Sequence, residues 1–113
     1  MHTADIIHRR VKPSPDDLED AVDGKFLSGK TVQFIARPTL IKYLLLEVPP
    51  GNTDSVYVGG SAVANDNGPA MGPGTTREFT FRHDVNEAPG DLSDFYANFE
   101  RCGDVVNYLA ITI

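Results

Sequence analysis

The chain has 113 residues, enough for one domain with a single core and not for two. Of its 10 glycines and 8 prolines, 12 fall between Pro49 and Gly90, which excludes a helical bundle because each one breaks or ends a helix. The net charge is −6, and residues 31–113 hold five Lys/Arg against ten Asp/Glu, a balance that excludes nucleic acid and anionic membrane as partners.

Met1 to Val11 shows no sustained period of 2 or 3.6, and Ile6, Ile7 and Val11 are its sizeable apolar anchors. It lacks the apolar run of a secretory signal. Lys12-Pro13-Ser14-Pro15 is extended, because a residue before proline avoids the helical region. Ser14 to Gly24 predicts a short helix. Ser14 caps it, Pro15 opens it, acids fill its first turn and Gly24 ends it. Leu18, Ala21 and Val22 share one face of that helix. Residues 1–27 are therefore expected to be an arm carrying a short helix, and 28–113 a β-sandwich domain.

Strand signals begin at Phe26 and sharpen over Thr31 to Ala36, where β-branched and aromatic residues fit a pleated surface. Leu40 to Val48 is the next strand. Ile41, Tyr43 and Leu45 lie on one side and Leu44 and Leu46 on the other, which predicts burial of both faces. Pro49-Pro50-Gly51-Asn52 is a turn, Asp54 to Val58 a strand, and Gly59-Gly60 its end. Turns follow at 64–69 and 72–74. Arg77 to Arg82 alternates, with Phe79 and Phe81 on one side. Residues 88–91 turn again, and Leu92 to Phe99 and Val105 to Ile113 give the last strands. Six or seven strands with turns between them predict an all-β fold, a small antiparallel sandwich or barrel.

The chemistry-bearing residues do not assemble into a motif. One cysteine, Cys102, permits no intrachain disulfide and is read as an inert thiol of a reducing cytosol. His2, His8 and His83 match no metal spacing. Asn65-Asp66-Asn67-Gly68 has turn residues but not the closing Glu of a calcium loop. Gly59-Gly60-Ser61 and Gly72-Pro73-Gly74 lack the Lys-Ser/Thr of a phosphate loop. Both are read as turns that need positive φ or close backbone approach. Ser61 has no triad partners. No enzyme, cofactor or metal is expected.

Asp54 to Val63 reads DSVYVGGSAV. Asn67-Gly68, Met71 to Gly74, Phe79 to Phe81, Asp91 to Tyr96 and Gly103 to Leu109 follow in order. This succession resembles a family of small β-sandwich virion proteins of tailed bacteriophages and prophages, over about residues 40–113. Met71 stands where the family pattern has Leu, and Phe95 replaces Leu before Tyr96. Both changes keep the residue type. The matched residues are fold-making: Gly59, Gly60, Gly68, Pro73, Gly74, Asp91 and Asp94 define turns, and Asp91 to Asp94 is expected to cap a turn that seats Leu92.

The resemblance implies a non-enzymatic virion structural protein, made in the host cytoplasm. The resemblance does not fix the place within the virion; the expectation is a head decoration protein that binds the major capsid protein or another virion protein, as a homo-oligomer such as a trimer. Residues 1–27 lie outside the resemblance; as an arm on a neighbouring subunit they would offer Ile6, Ile7, Arg9, Arg10, Val11, Leu18 and Val22 as partner contacts, and the alternative is that Leu18, Ala21 and Val22 pack back on the chain's own sandwich. The alternatives are a neck, tail or fibre accessory protein, and a carbohydrate- or host-surface-binding module with Tyr57, Tyr96 or Tyr108 as stacking platforms.

Overall fold

Alternation along the last nine residues sets the architecture. Val106, Tyr108 and Ala110 are buried, while Asn107, Leu109 and Ile111 are only half-buried, so one side of this strand meets a core. The structure, a computed structural model, describes residues 4–14, 21–64, 68–81 and 90–113, with backbone alone at 27 and 28. Among the described residues the elements are β1 (Ile6–Val11), β2 (Ala21–Val22), β3 (Lys25–Gln33), β4 (Leu40–Glu47), β5 (Val56–Gly59), β6 (Ala70–Met71), β7 (Thr76–Thr80), β8 (Gly90–Asp91), a single 3-10 turn (Leu92–Asp94), β9 (Tyr96–Arg101) and β10 (Val106–Thr112).

The fold is all-β, as expected, and consists of two antiparallel sheets. The first runs β1-β10-β4-β7, with β8 also on β4; the second runs β2-β3-β9-β5-β6. The chain changes sheet at β1 to β2, β3 to β4, β4 to β5, β6 to β7, β8 to β9 and β9 to β10, which stitches the two layers together. Between them, Leu44, Leu46, Val106, Tyr108 and Ala110 of the first sheet meet Val56, Val58, Ala97 and Phe99 of the second. Phe95 closes one end. Its ring centroid lies 6.0 Å from Phe34, 5.8 Å from Phe79 and 6.1 Å from Phe81, and Phe34 in turn stacks on Tyr108 at 5.3 Å.

The expected helix over residues 14–24 is corrected. Ala21 and Val22 form β2, paired with Phe26 and Lys25 across a two-residue turn. Asp23 has φ 53° and Gly24 φ 78°, the two positive angles of a type I′ hairpin turn. A hairpin loop of this kind, tied to β3, outweighs the propensity of a marginal helix. Residues 15–20, including Leu18, lie outside the described residues.

Residues 6–11, read from sequence as part of an arm, form β1. It pairs with β10 in continuous register from Ile6 opposite Ile111 to Val11 opposite Val106. The Thr112 N–H donates to the Asp5 carbonyl at 2.9 Å and extends the ladder by one residue. Position 27/28 lies inside β3.

In β4 the expected two-sided burial holds on one side only. Leu44 and Leu46 are fully buried, but Tyr43 and Leu45 are half-buried. The ladder with β10 skips Lys42, since Tyr43 faces Ile111 and Ile41 faces Thr112. This bulge turns Ile41 to the core side with Leu44, where it is fully buried. Leu40 is left on the outer side at 42% exposure.

Candidate functional site

The turn residues singled out from sequence fall into three groups. Pro73-Gly74 makes a tight turn between β6 and β7. Gly74 takes φ 83° and the Thr75 N–H donates to the Gly72 carbonyl at 3.2 Å, as the Pro-Gly pair of a type II turn requires. Asp91 organises the 3-10 turn. Its Oδ1 accepts from the Thr39 N–H (2.9 Å), the Ser93 N–H (2.9 Å) and the Ser93 hydroxyl (2.8 Å). These donors, Thr39 first, hold its carboxyl below the ordinary value of 3.8. Asp94 closes the turn and is exposed, and Leu92 is fully buried beneath it.

Gly59 and Gly68 are required by close approach. A Cβ on Gly68 would stand 2.5 Å from Val63 Cγ2, and one on Gly59 would stand 3.2 Å from it. Gly60 departs from expectation, with no positive φ and nothing within 4 Å of a Cβ. A cavity of about 270 Å³ lies here, lined by Gly59, Gly60, Ala62, Val63, Gly68 and Pro69. None of these side chains carries a charge or a nucleophile.

Polar chemistry concentrates in a clasp that sequence reading missed. Buried Asp104 accepts the Thr53 N–H at 2.8 Å on one carboxylate oxygen and the Asp54 N–H at 3.0 Å on the other. Asp54 in turn accepts Arg101 Nε at 2.9 Å, which raises the guanidinium above its ordinary value. Both Asp104 oxygens and Asp54 Oδ2 hold these loops together, so the role of the clasp is to join the β4–β5 and β9–β10 connections. No signal in the sequence links positions about fifty residues apart.

Among the described residues, no group of three or more His, Cys, Asp or Glu converges in a way that could hold a metal. His83 and Asp84, and Asn65 to Asn67, lie outside the described residues. Cys102 sits in the β9–β10 turn, half-buried, with its N–H donating to the Gly24 carbonyl at 3.0 Å. Tyr108 is 1% exposed and cannot serve as a stacking platform, while Tyr57 and Tyr96 are half-buried. No described helix is long and apolar enough to cross a membrane.

The expected arm contacts divide by side. Ile7, Arg9 and Val11 pair with Ala110, Tyr108 and Val106 on the core side of the first sheet, and Val11 is buried there. Arg9 stays exposed at the sheet edge, and Val22 on β2 is 59% exposed. Ile6, His8 and Arg10 alternate onto the outer side.

That outer side is the most distinctive surface of the molecule. The registers place Ile6, Ile111, Tyr43 and Thr80 in one row across β1, β10, β4 and β7. The next row holds His8, Leu109, Leu45 and Glu78, and the third Arg10, Asn107, Glu47 and Thr76. Arg10 Nε donates to Asn107 Oδ1 at 3.0 Å, and Asn107 Nδ2 to Glu47 Oε1 at 3.3 Å, so the third row is tied together. Beyond the bulge, Leu40 and Ile113 join the same side, linked by the Ile113 N–H to the Leu40 carbonyl at 3.3 Å. Ile6, Leu40 and Ile113 are three of the four exposed large apolar residues described. His8, Leu45, Glu47, Asn107, Tyr108 and Leu109 line a hollow of about 250 Å³ on this face.

Comparison with protein-family models, with curated proteins and with solved structures returns no match to the chain.

Proposed function

We propose that this chain is a non-enzymatic structural subunit of a tailed-phage virion, and within it a decoration protein of the head. One observation carries the reading. The pieces of sequence that resemble the virion family form the strands and turns of one two-sheet domain. Val56 to Gly59 is β5, Pro73-Gly74 the turn into β7, Asp91 to Asp94 the capped turn and Val106 to Leu109 the start of β10.

The proposed mechanism is mass action. A subunit that binds only the assembled, expanded shell stabilises that state by the free energy of its own binding. Arg9 and Val22, exposed at the edges of the two sheets, are the contacts offered to the major capsid protein.

Quantitative mass spectrometry of purified particles tests the reading. Hundreds of copies per particle are expected of a protein that follows a capsid lattice. About six to eighteen copies would move it to the neck or tail, where rings have low rotational symmetry. Absence from the particle overturns the proposal.

A further inference from the structure

We infer that the outer face of the first sheet is a self-association surface, and that its occupant is a second copy of this chain. On this face Ile6, Leu40 and Ile113 are exposed and Tyr43, Leu45, Leu109 and Ile111 half-buried, and the registers set them side by side as one apolar field. Contiguous exposed apolar surface rimmed by polar residues marks an interaction site.

The choice of occupant follows from how polar and apolar groups are laid out. The cationic Arg10, with His8, lies at the β1 side, and Glu47 and Glu78 lie toward the β7 side. Consider a twofold axis parallel to the strands, above the seam between β10 and β4. It lays β1 of one copy over β7 of the other and β10 over β4. His8 then meets Glu78 of the other copy, Leu109 meets Leu45, Ile111 meets Tyr43, and Asn107 meets Glu47. Arg10 comes within diagonal reach of Glu78. Each pairing occurs twice, because a twofold interface uses the same patch on both partners. The charges match without any like-charged pair facing, which is what specifies a partner. The two sheets would stack face to face, about 10 Å apart, in the aligned packing of β-sandwiches.

Four strands over three rows, extended at one end by Leu40 and Ile113, cover a flat footprint of roughly 400–500 Å² per copy. Stable complexes bury about 800 Å² per partner, so the association is expected in the micromolar range. The inference rests on this face and not on the virion reading. Absence from purified particles would end that reading and leave this one standing, and a monomeric chain would do the reverse.

Sedimentation velocity of the full chain, from about 5 to 500 µM, reads the equilibrium directly. The wild type is expected to shift from monomer to dimer across that range. Leu45→Glu combined with Leu109→Glu is expected to keep it monomeric throughout, at some cost in melting temperature because the two glutamates face each other across β10 and β4, and Ala70→Glu, exposed on β6 of the other sheet, is expected to leave the association unchanged. A charge swap covers the case in which the double variant fails to fold. His8→Glu should weaken association about tenfold by facing Glu78, and adding Glu78→Arg to the same chain should restore it. A chain monomeric at every concentration, a dimer that survives the Leu45/Leu109 change in folded protein, or a swap that restores nothing each overturns the proposal.

Discussion

Asn52 and Val105 form a reciprocal pair that imitates one rung of a β-ladder. The Asn52 amide donates to the Val105 carbonyl at 2.7 Å, and the Val105 N–H donates back to Asn52 Oδ1 at 3.1 Å. Val105 immediately precedes β10, and Asn52 lies in the loop between β4 and β5. A side chain thus satisfies backbone groups where the strand has no neighbour of its own. Asn52→Ala removes both partners and leaves the two Val105 groups unpaired in a half-buried setting, at a cost of about 1–3 kcal/mol. Urea unfolding at pH 7 measures it, and the midpoint should fall with the slope unchanged.

Asp91 predicts an acid-limb effect. Three donors hold its folded-state carboxyl below the ordinary value of 3.8. A depressed pKa contributes stability that is present above the unfolded value and is lost as pH falls through the folded one. Asp91→Asn should therefore be less stable than wild type near neutrality. The difference should shrink below about pH 4 and vanish once wild-type Asp91 is protonated. Thermal melts of both proteins from pH 7 down to pH 2 test it. A gap that stays constant with pH would show that the donors do not favour the charged form.

Strong local patterns were legible in the sequence, and pairings at long range were not. Leu40 to Val48 reads as a strand from its alternating apolar residues, and Asp91 to Asp94 as a capped turn from its Asp-x-Ser spacing. The alternation could not reveal the bulge at Lys42, which depends on how β10 lies against β4 and which decides that Ile41 is buried and Leu40 is not. Residues 21–24 hold a hairpin signal, Asp-Gly between Val22 and Lys25, but the acids before them read equally as the first turn of a helix. β1 escaped because an edge strand needs few apolar residues. In Ile6 to Val11 only Val11 is buried, so the segment carries no period. The outer face was half legible: Leu45, Leu109 and Ile111 were recognised as apolar, but which sheet surface stays open is set by the layering.

Gly68 and Gly60 should respond oppositely to the same substitution. A Cβ at Gly68 would stand 2.5 Å from Val63 Cγ2 and 3.3 Å from Tyr57 Cβ, closer than packed atoms approach. Gly68→Ala must push Val63 out of its buried seat, at about 1–3 kcal/mol. Gly60→Ala meets nothing within 4 Å and should fall within about 0.5 kcal/mol of wild type. Equal losses in chemical denaturation would mean that Gly60 serves the turn by its backbone freedom.

Tyr108 carries a hydroxyl in the core with no protein partner among the described residues, while its ring stacks on Phe34 at 5.3 Å. Burial raises its pKa above 10.0, and the positive charge of Arg9 opposes this only in part. The sign of the pH effect follows. An acid whose neutral form is favoured on folding releases its proton more readily in the unfolded chain, so stability falls as pH rises past about 10. Tyr108→Phe keeps the stacked ring and removes both the unpaired hydroxyl and the ionisation. At pH 7 the variant should be as stable as wild type or more so, by up to about 1 kcal/mol, because a buried polar atom without a partner has been deleted. Above pH 10 its advantage should grow, and its alkaline unfolding midpoint should lie higher. Paired urea titrations at pH 7 and pH 10.5 decide it. A loss of stability at pH 7 would mean that the hydroxyl has a partner and that the core depends on it.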